Sequence, residues 1–74
     1  MNKIRRAQLA KVSESISELS SQLEEIKDEE QESFENIPES LQMTDRATQS
    51  EEAIEAIQEA IDGLEQATSA LEPI

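Results

Sequence analysis

Leu9, Val12, Ile16, Leu19, Leu23 and Ile26 are spaced 3, 4, 3, 4, 3. A helix turns once in about 3.6 residues, so this spacing draws one narrow apolar stripe along it. Held for almost three heptads, the stripe marks a helix that packs lengthwise on another helix. Ser, Gln, Lys and Glu fill most of the intervening positions, and no Gly or Pro interrupts residues 1–37. The pattern predicts a first helix over about residues 3–34. In this frame the next seam positions are Glu30 and Ser33, so the seam stops near Ile26, while Phe34 and Ile37 resume apolar character slightly rotated.

Residues 35–43 read as an elbow. Pro38 disfavours helical geometry at Ile37 and would clash with the carbonyl of Phe34 in a continuing helix. It also suits the first turn of a new helix, which Asn36 is placed to cap. One short turn is expected over 38–41. Phe34, Ile37, Leu41 and Met43 are too apolar for a free linker and are expected to plug the end of a bundle.

The second half repeats the same spacing. Ile54, Ile57, Ile61, Leu64, Thr68 and Leu71 follow 3, 4, 3, 4, 3. Thr44 before Asp45 is one possible cap, and Thr48 with Glu51 forms a capping box that offers a later start. Ala47 and Ser50 extend the register backward, which favours a helix over about 44–72, ended by Pro73. Small residues flank this seam, Ala53, Ala60 and Ala67 on one side and Ala56, Gly63 and Ala70 on the other. Such a wide face suits a helix with more than one neighbour. Gly63 costs about 1 kcal/mol relative to Ala within a helix. Close approach of a neighbouring helix is a reason to tolerate it.

Together these features predict a single all-α domain over residues 1–74, an antiparallel helical hairpin that dimerises into a four-helix bundle. Of 74 residues, 35% are apolar, and eight of those are Ala. A chain this short with so few large apolar residues is marginal alone, and a second copy is the simplest closure. The oligomer core is expected from Leu9, Val12, Ile16, Leu19, Leu23 and Ile26 of the first helix. Ile54, Ile57, Ile61, Leu64 and Leu71 complete it from the second.

Composition removes most chemistry. There is no Cys and no His, hence no thiolate zinc site, no imidazole base and no Ser-His-Asp triad. The single aromatic residue, Phe34, makes no stacking platform for single strands. Carboxylate catalysis needs a desolvated pocket that a thin hairpin does not build. No calcium-loop motif is present among the acids. The reading is a non-enzymatic protein without cofactor or metal. No apolar run reaches membrane-spanning length and no apolar core follows the basic start to make a secretory signal, so a cytoplasmic protein is expected.

Charge is one-sided: 18 acids against six bases, a net charge of −12. Direct binding to nucleic acid or to an anionic membrane is disfavoured. Glu24, Glu25, Asp28 and Glu29 crowd the elbow end of the first helix. Like charges at i,i+4, such as Glu25 with Glu29, weaken a helix by a few tenths of a kcal/mol, roughly. Glu51, Glu52, Glu55, Glu59, Asp62 and Glu65 fall at outer positions of the second helix as an acidic ridge with no base among them. A helix selected for stability alone would alternate signs more evenly. These acids are either a plain solvated face or a surface that imitates DNA phosphate. On the second reading Glu24, Glu25, Asp28, Glu29, Glu51, Glu52, Glu55, Glu59 and Asp62 are the candidate partner-binding face, and the partner is a protein whose own site normally holds DNA. Lys3, Arg5 and Arg6 cluster at the N-terminus, where positive charge opposes the helix dipole. They either pair with Glu65, Glu72 and the terminal carboxylate across the hairpin, or form an anion site for a nucleotide.

The run Phe34-Glu35-Asn36-Ile37-Pro38-Glu39-Ser40-Leu41-Gln42, followed by the Ala/Ile/Leu/Glu heptads, resembles a group of short acidic helical proteins of bacteriophages and mobile elements. Their centre reads F-x-N-[hydrophobic]-P-E-S-[hydrophobic]-Q. The likeness covers roughly residues 3–72, and this chain departs from the group's Asp/Leu repeats at Gly63 and Thr68. The group carries no established activity. The resemblance supplies a phage setting, and with it the host cytoplasm, as context rather than mechanism. The reading preferred on the residues is an accessory protein that binds a host macromolecule through its acidic face, in an inhibitory or anti-defence role. The alternatives are a structural oligomerisation module and a nucleotide-sequestering protein built on the N-terminal bases.

Overall fold

The computed structural model describes residues 1–41 and 44–74. Its elements are helix α1, Lys3–Glu35, a 3₁₀ turn at Glu39–Leu41, and helix α2, Asp45–Leu71. The two helices pack against each other as a hairpin, a rod of 59 × 15 × 14 Å. Among the described residues there is no strand.

Local chemistry explains the boundaries. Asn2 is extended, and its side-chain oxygen accepts from the Arg5 amide at 2.8 Å, which caps α1. Asn36 does not cap the short turn as its sequence position implies. It keeps helical angles (φ −82°, ψ −5°) and its amide still donates to the Glu32 carbonyl, so it closes α1 instead. An N-cap needs extended backbone, and Asn36 has not left the helix. Pro38 then opens the 3₁₀ turn, with the Leu41 amide donating to its carbonyl at 2.8 Å.

Thr44 is the cap of α2, accepting from the Ala47 amide at 3.5 Å. The later start at Thr48 is not used. The Thr48 hydroxyl lies within the helix and donates back to the Thr44 carbonyl at 3.2 Å. At the elbow Phe34 and Ile37 are half-buried, while Leu41 is exposed and covers less of the bundle end than expected. Met43 and Gln42 lie outside the described residues.

The packing of α2 follows its seam. Ala47, Ser50 and Ile61 are buried, and Ile54, Ile57, Leu64, Thr68 and Leu71 are half-buried between them. α1 is turned by about one position from its own seam. Its covered residues are Leu9, Ser13, Ile16, Ser20, Leu23, Lys27, Glu30 and Phe34. Leu9, Ile16 and Leu23 belong to the expected core and face α2. Val12, Leu19 and Ile26 are left 48, 50 and 51% exposed along one edge of the contact.

Two cross-helix bonds show why the turn is accommodated. Glu30, a seam position with an acid in it, takes a hydrogen bond from the buried Ser50 hydroxyl. The Lys27 Nζ donates to the Gln58 Oε1 at 2.6 Å. With Phe34, these bonds carry the covered row of α1 to the elbow, beyond the point where large apolar residues end. The seam therefore does not stop at Ile26.

The small residues of α2 are arranged differently from the sequence reading. At about 100° per residue, the Ala56–Gly63–Ala70 row lies beside the Ala53–Ala60–Ala67 row on the same flank. The opposite flank carries Glu51, Gln58, Glu65 and Glu72. Ala53 and Ala67 are half-buried, whereas Ala56, Ala60, Gly63 and Ala70 are exposed. A Cβ added at Gly63 would meet nothing within 4 Å. Close approach of α1 is thus not what accommodates this glycine.

Two outcomes follow for stability. Ile61 is 1% exposed and is the largest fully buried side chain among the described residues. Ile61→Ala should cost about 2–5 kcal/mol, and Ile57→Ala and Leu64→Ala less, in urea melts at one fixed protein concentration. Ser50→Ala should cost about 1–3 kcal/mol, because it strips the Glu30 carboxylate of its donor. Glu30→Leu added to Ser50→Ala should recover most of that loss, since both polar partners are then gone.

Candidate partner-binding surface

The two helices give the hairpin two unlike sides. In an antiparallel pair, corresponding flanks of the two helices lie on the same side. The flank of α2 that carries Glu51, Gln58 and Glu65 therefore shares its side with Ser17 and Glu24 of α1. A polar groove of about 410 Å³ runs along that side, lined by Ser17, Ser20, Ser21, Glu65, Thr68 and Ser69. The serines of α1 are small enough to leave this groove open between the helices.

The α2 acids form one continuous band. Glu51, Glu52, Glu55, Glu59, Asp62 and Glu65 are all exposed and span an arc of about 100° from the polar groove to the back of the helix. A hydrogen-bonded chain ties the band to α1. Lys27 donates to Gln58, and the Gln58 Nε2 donates to the Asp62 Oδ1 at 2.9 Å. Lys27 is the one base within the acid-rich stretch from Glu24 to Glu35, and its ammonium is turned toward α2. Glu65 belongs to the same ridge in the sequence, seven residues on from Gln58 and fourteen from Glu51, and its exposure on the groove side keeps it in the band.

Three of the four α1 acids follow the same arc. Glu24 and Asp28 lie on the groove side and Glu25 on the back of α1, while Glu29 lies on the opposite side beside the exposed Val12–Leu19–Ile26 row. All four are exposed. The α1 tip thus extends the acidic side of the hairpin, with Glu29 outside it, and α2 supplies the longer band.

The N-terminal bases diverge. Lys3, Arg5 and Arg6 are exposed, and at about 100° per residue Lys3 and Arg5 point to nearly opposite sides of α1. Arg6 faces the end of α2, where it lines a groove with Leu9, Leu71, Glu72 and Ile74. That places Arg6 and Glu72 at one end of the rod. One hairpin does not aim the three bases at a common point.

Among the described residues no group of acids is arranged to hold a metal ion, and no helix is long and apolar enough to cross a membrane. No family model matches the chain, and neither a curated protein nor a solved structure matches it. Its function is therefore read from the placement of its own residues.

Proposed function

We propose that this chain is a non-enzymatic binding protein that offers the acidic band of α2 to a basic partner, in the place a nucleic-acid strand would occupy. The observation that carries the reading is the spacing of that band. Six acids from Glu51 to Glu65, with no base among them, give one charge per about 4 Å of helix axis at 1.5 Å rise. One DNA strand carries a charge per about 3.4 Å. The match in linear density supports a partner whose basic site is built for a phosphate backbone.

The Lys27–Gln58–Asp62 chain supports the same reading. It pins the α2 band to α1 without placing a base inside the band. A rigid row of charges loses less entropy on docking than a flexible one. The resemblance to phage-type proteins supplies the context, a host nucleic-acid-binding protein as the target. The nucleotide reading has weaker support, because its three bases point apart.

The test removes charge and keeps the helix. Glu→Gln at residues 51, 52, 55 and 59 with Asp62→Asn takes five charges from each chain and changes helix propensity little. The parent, immobilised and offered a bacterial lysate with and without nuclease, should capture basic proteins. Added duplex DNA and rising salt should release them, since the field is screened over about 10 Å at 0.1 M. The five-fold variant should fold at least as well and capture them weakly, mainly through slower association. Capture that ignores salt, DNA and all five substitutions would sink the proposal.

A further inference from the structure

The side opposite the acidic band is nearly free of acids. It consists of the Val12–Leu19–Ile26 row of α1 and the two small-residue rows of α2. Of the acids on α1 and α2, Glu29 alone falls on it, at its border, while Arg5 and Arg46 mark its two ends. In a chain of net charge −12, this is the one long surface on which a second copy meets little like charge. Three large apolar side chains stand on it about half exposed.

The register makes this surface complementary to itself. The Lys27–Gln58 and Glu30–Ser50 bonds fix the heights of the two helices relative to each other. Taken together they set Val12 near the height of Ala70, Leu19 near Gly63, and Ile26 near Ala56, to within about one turn. Each large residue of one row thus has a small residue beside it near the same height on the other helix. A two-fold axis parallel to the helices exchanges α1 and α2 and leaves every height unchanged. It lays each large residue over a small one of the partner.

We propose that a second copy of this chain docks here, with α1 of each copy antiparallel on α2 of the other and Leu19 seated over the partner's Gly63. This inference does not rest on the acidic-band reading. The side is large enough. Its outline of 59 × 15 Å sets an upper bound of roughly 900 Å² per copy, or about 1,800 Å² in total, and covering about two thirds of it reaches the lower end of stable interfaces at about 1,200–2,000 Å². The arrangement also accounts for the glycine that the hairpin itself does not need. Without a side chain at residue 63, the partner's helix can approach where α1 of the same chain does not. Both acidic bands stay on the outside.

Gly63→Leu separates the dimer from the hairpin. In one chain the position faces open space, and Leu is the better helix former, so helicity by circular dichroism should hold or rise. Sedimentation should show the parent dimeric at micromolar concentration and the variant at least about tenfold weaker in self-association. Leu19→Gln should weaken it likewise. A parent that is monomeric at those concentrations, or a Gly63→Leu chain that dimerises as well as the parent, overturns the proposal. The docking geometry has its own readout, independent of either variant's stability. The chain has no cysteine, so Leu19→Cys and Gly63→Cys chains can be mixed and oxidised. A disulfide joining the two different chains is expected to dominate. Preferential joining of Leu19→Cys chains to each other would place α1 on α1 and overturn the arrangement.

Discussion

Everything in this molecule depends on one contact line between two helices. A hairpin has a single helix–helix interface, so each helix covers one strip and exposes the rest. That strip must serve about 30 residues per helix with few large apolar side chains. Ile61 is fully enclosed, Ala47 and Ser50 fill the elbow end, and the remainder of the strip is half-open. Polar groups are recruited where apolar ones run out. The Ser50 hydroxyl on Glu30 and the Lys27 ammonium on Gln58 continue the contact toward the elbow. A half-buried carboxylate is tolerated there because it has a donor.

The same contact explains what was legible in the sequence and what was not. Helix ends were legible because they depend on local chemistry. Thr44 capped and Pro38 broke the chain near where their backbone preferences require. Asn36 was misplaced by one role, as a helix end rather than a start, because either role suits an Asn beside an elbow. The seam of α2 was legible because large residues occupy it almost without a gap. The rotation of α1 was not, since its two candidate rows share Leu9, Ile16 and Leu23 and differ only in their second members. Val12, Leu19 and Ile26 form the more apolar row. Ser13, Ser20, Lys27 and Phe34 form the row that reaches the elbow and meets hydrogen-bonding partners on α2. Single-helix periodicity ranks rows by hydrophobicity and knows nothing of Gln58 or Ser50.

The candidate site was legible in composition and only partly in placement. The α2 acids emerged as one band because a heptad repeat keeps them on one arc. The α1 acids came as a run of nearly consecutive residues, and a run on a helix spreads around the axis, which carries Glu29 off the arc that Glu24, Glu25 and Asp28 share. Lys3, Arg5 and Arg6 diverge for the same reason. Clustering in sequence is a poor guide to clustering in space on a helix, whereas repetition at three, four or seven is a good one.

The rotation of α1 links the two proposed surfaces. Had α1 used its more apolar row against α2, Val12, Leu19 and Ile26 would lie inside the hairpin, and the acid-free side would have no large apolar residues to bury. Instead the hairpin closes on a weaker, partly polar line and leaves its better apolar row at the edge. That choice costs the isolated chain stability and leaves that row free for the proposed second copy. In the proposed dimer that side is covered and the acidic bands turn outward, on opposite faces of one bundle. Salt acts on the two proposed contacts in opposite senses. It screens the repulsion between two chains of the same negative sign, and it weakens the attraction of either band for a basic partner. The uneven division of charge along the sequence is what would make the two proposed contacts respond to salt with opposite sign.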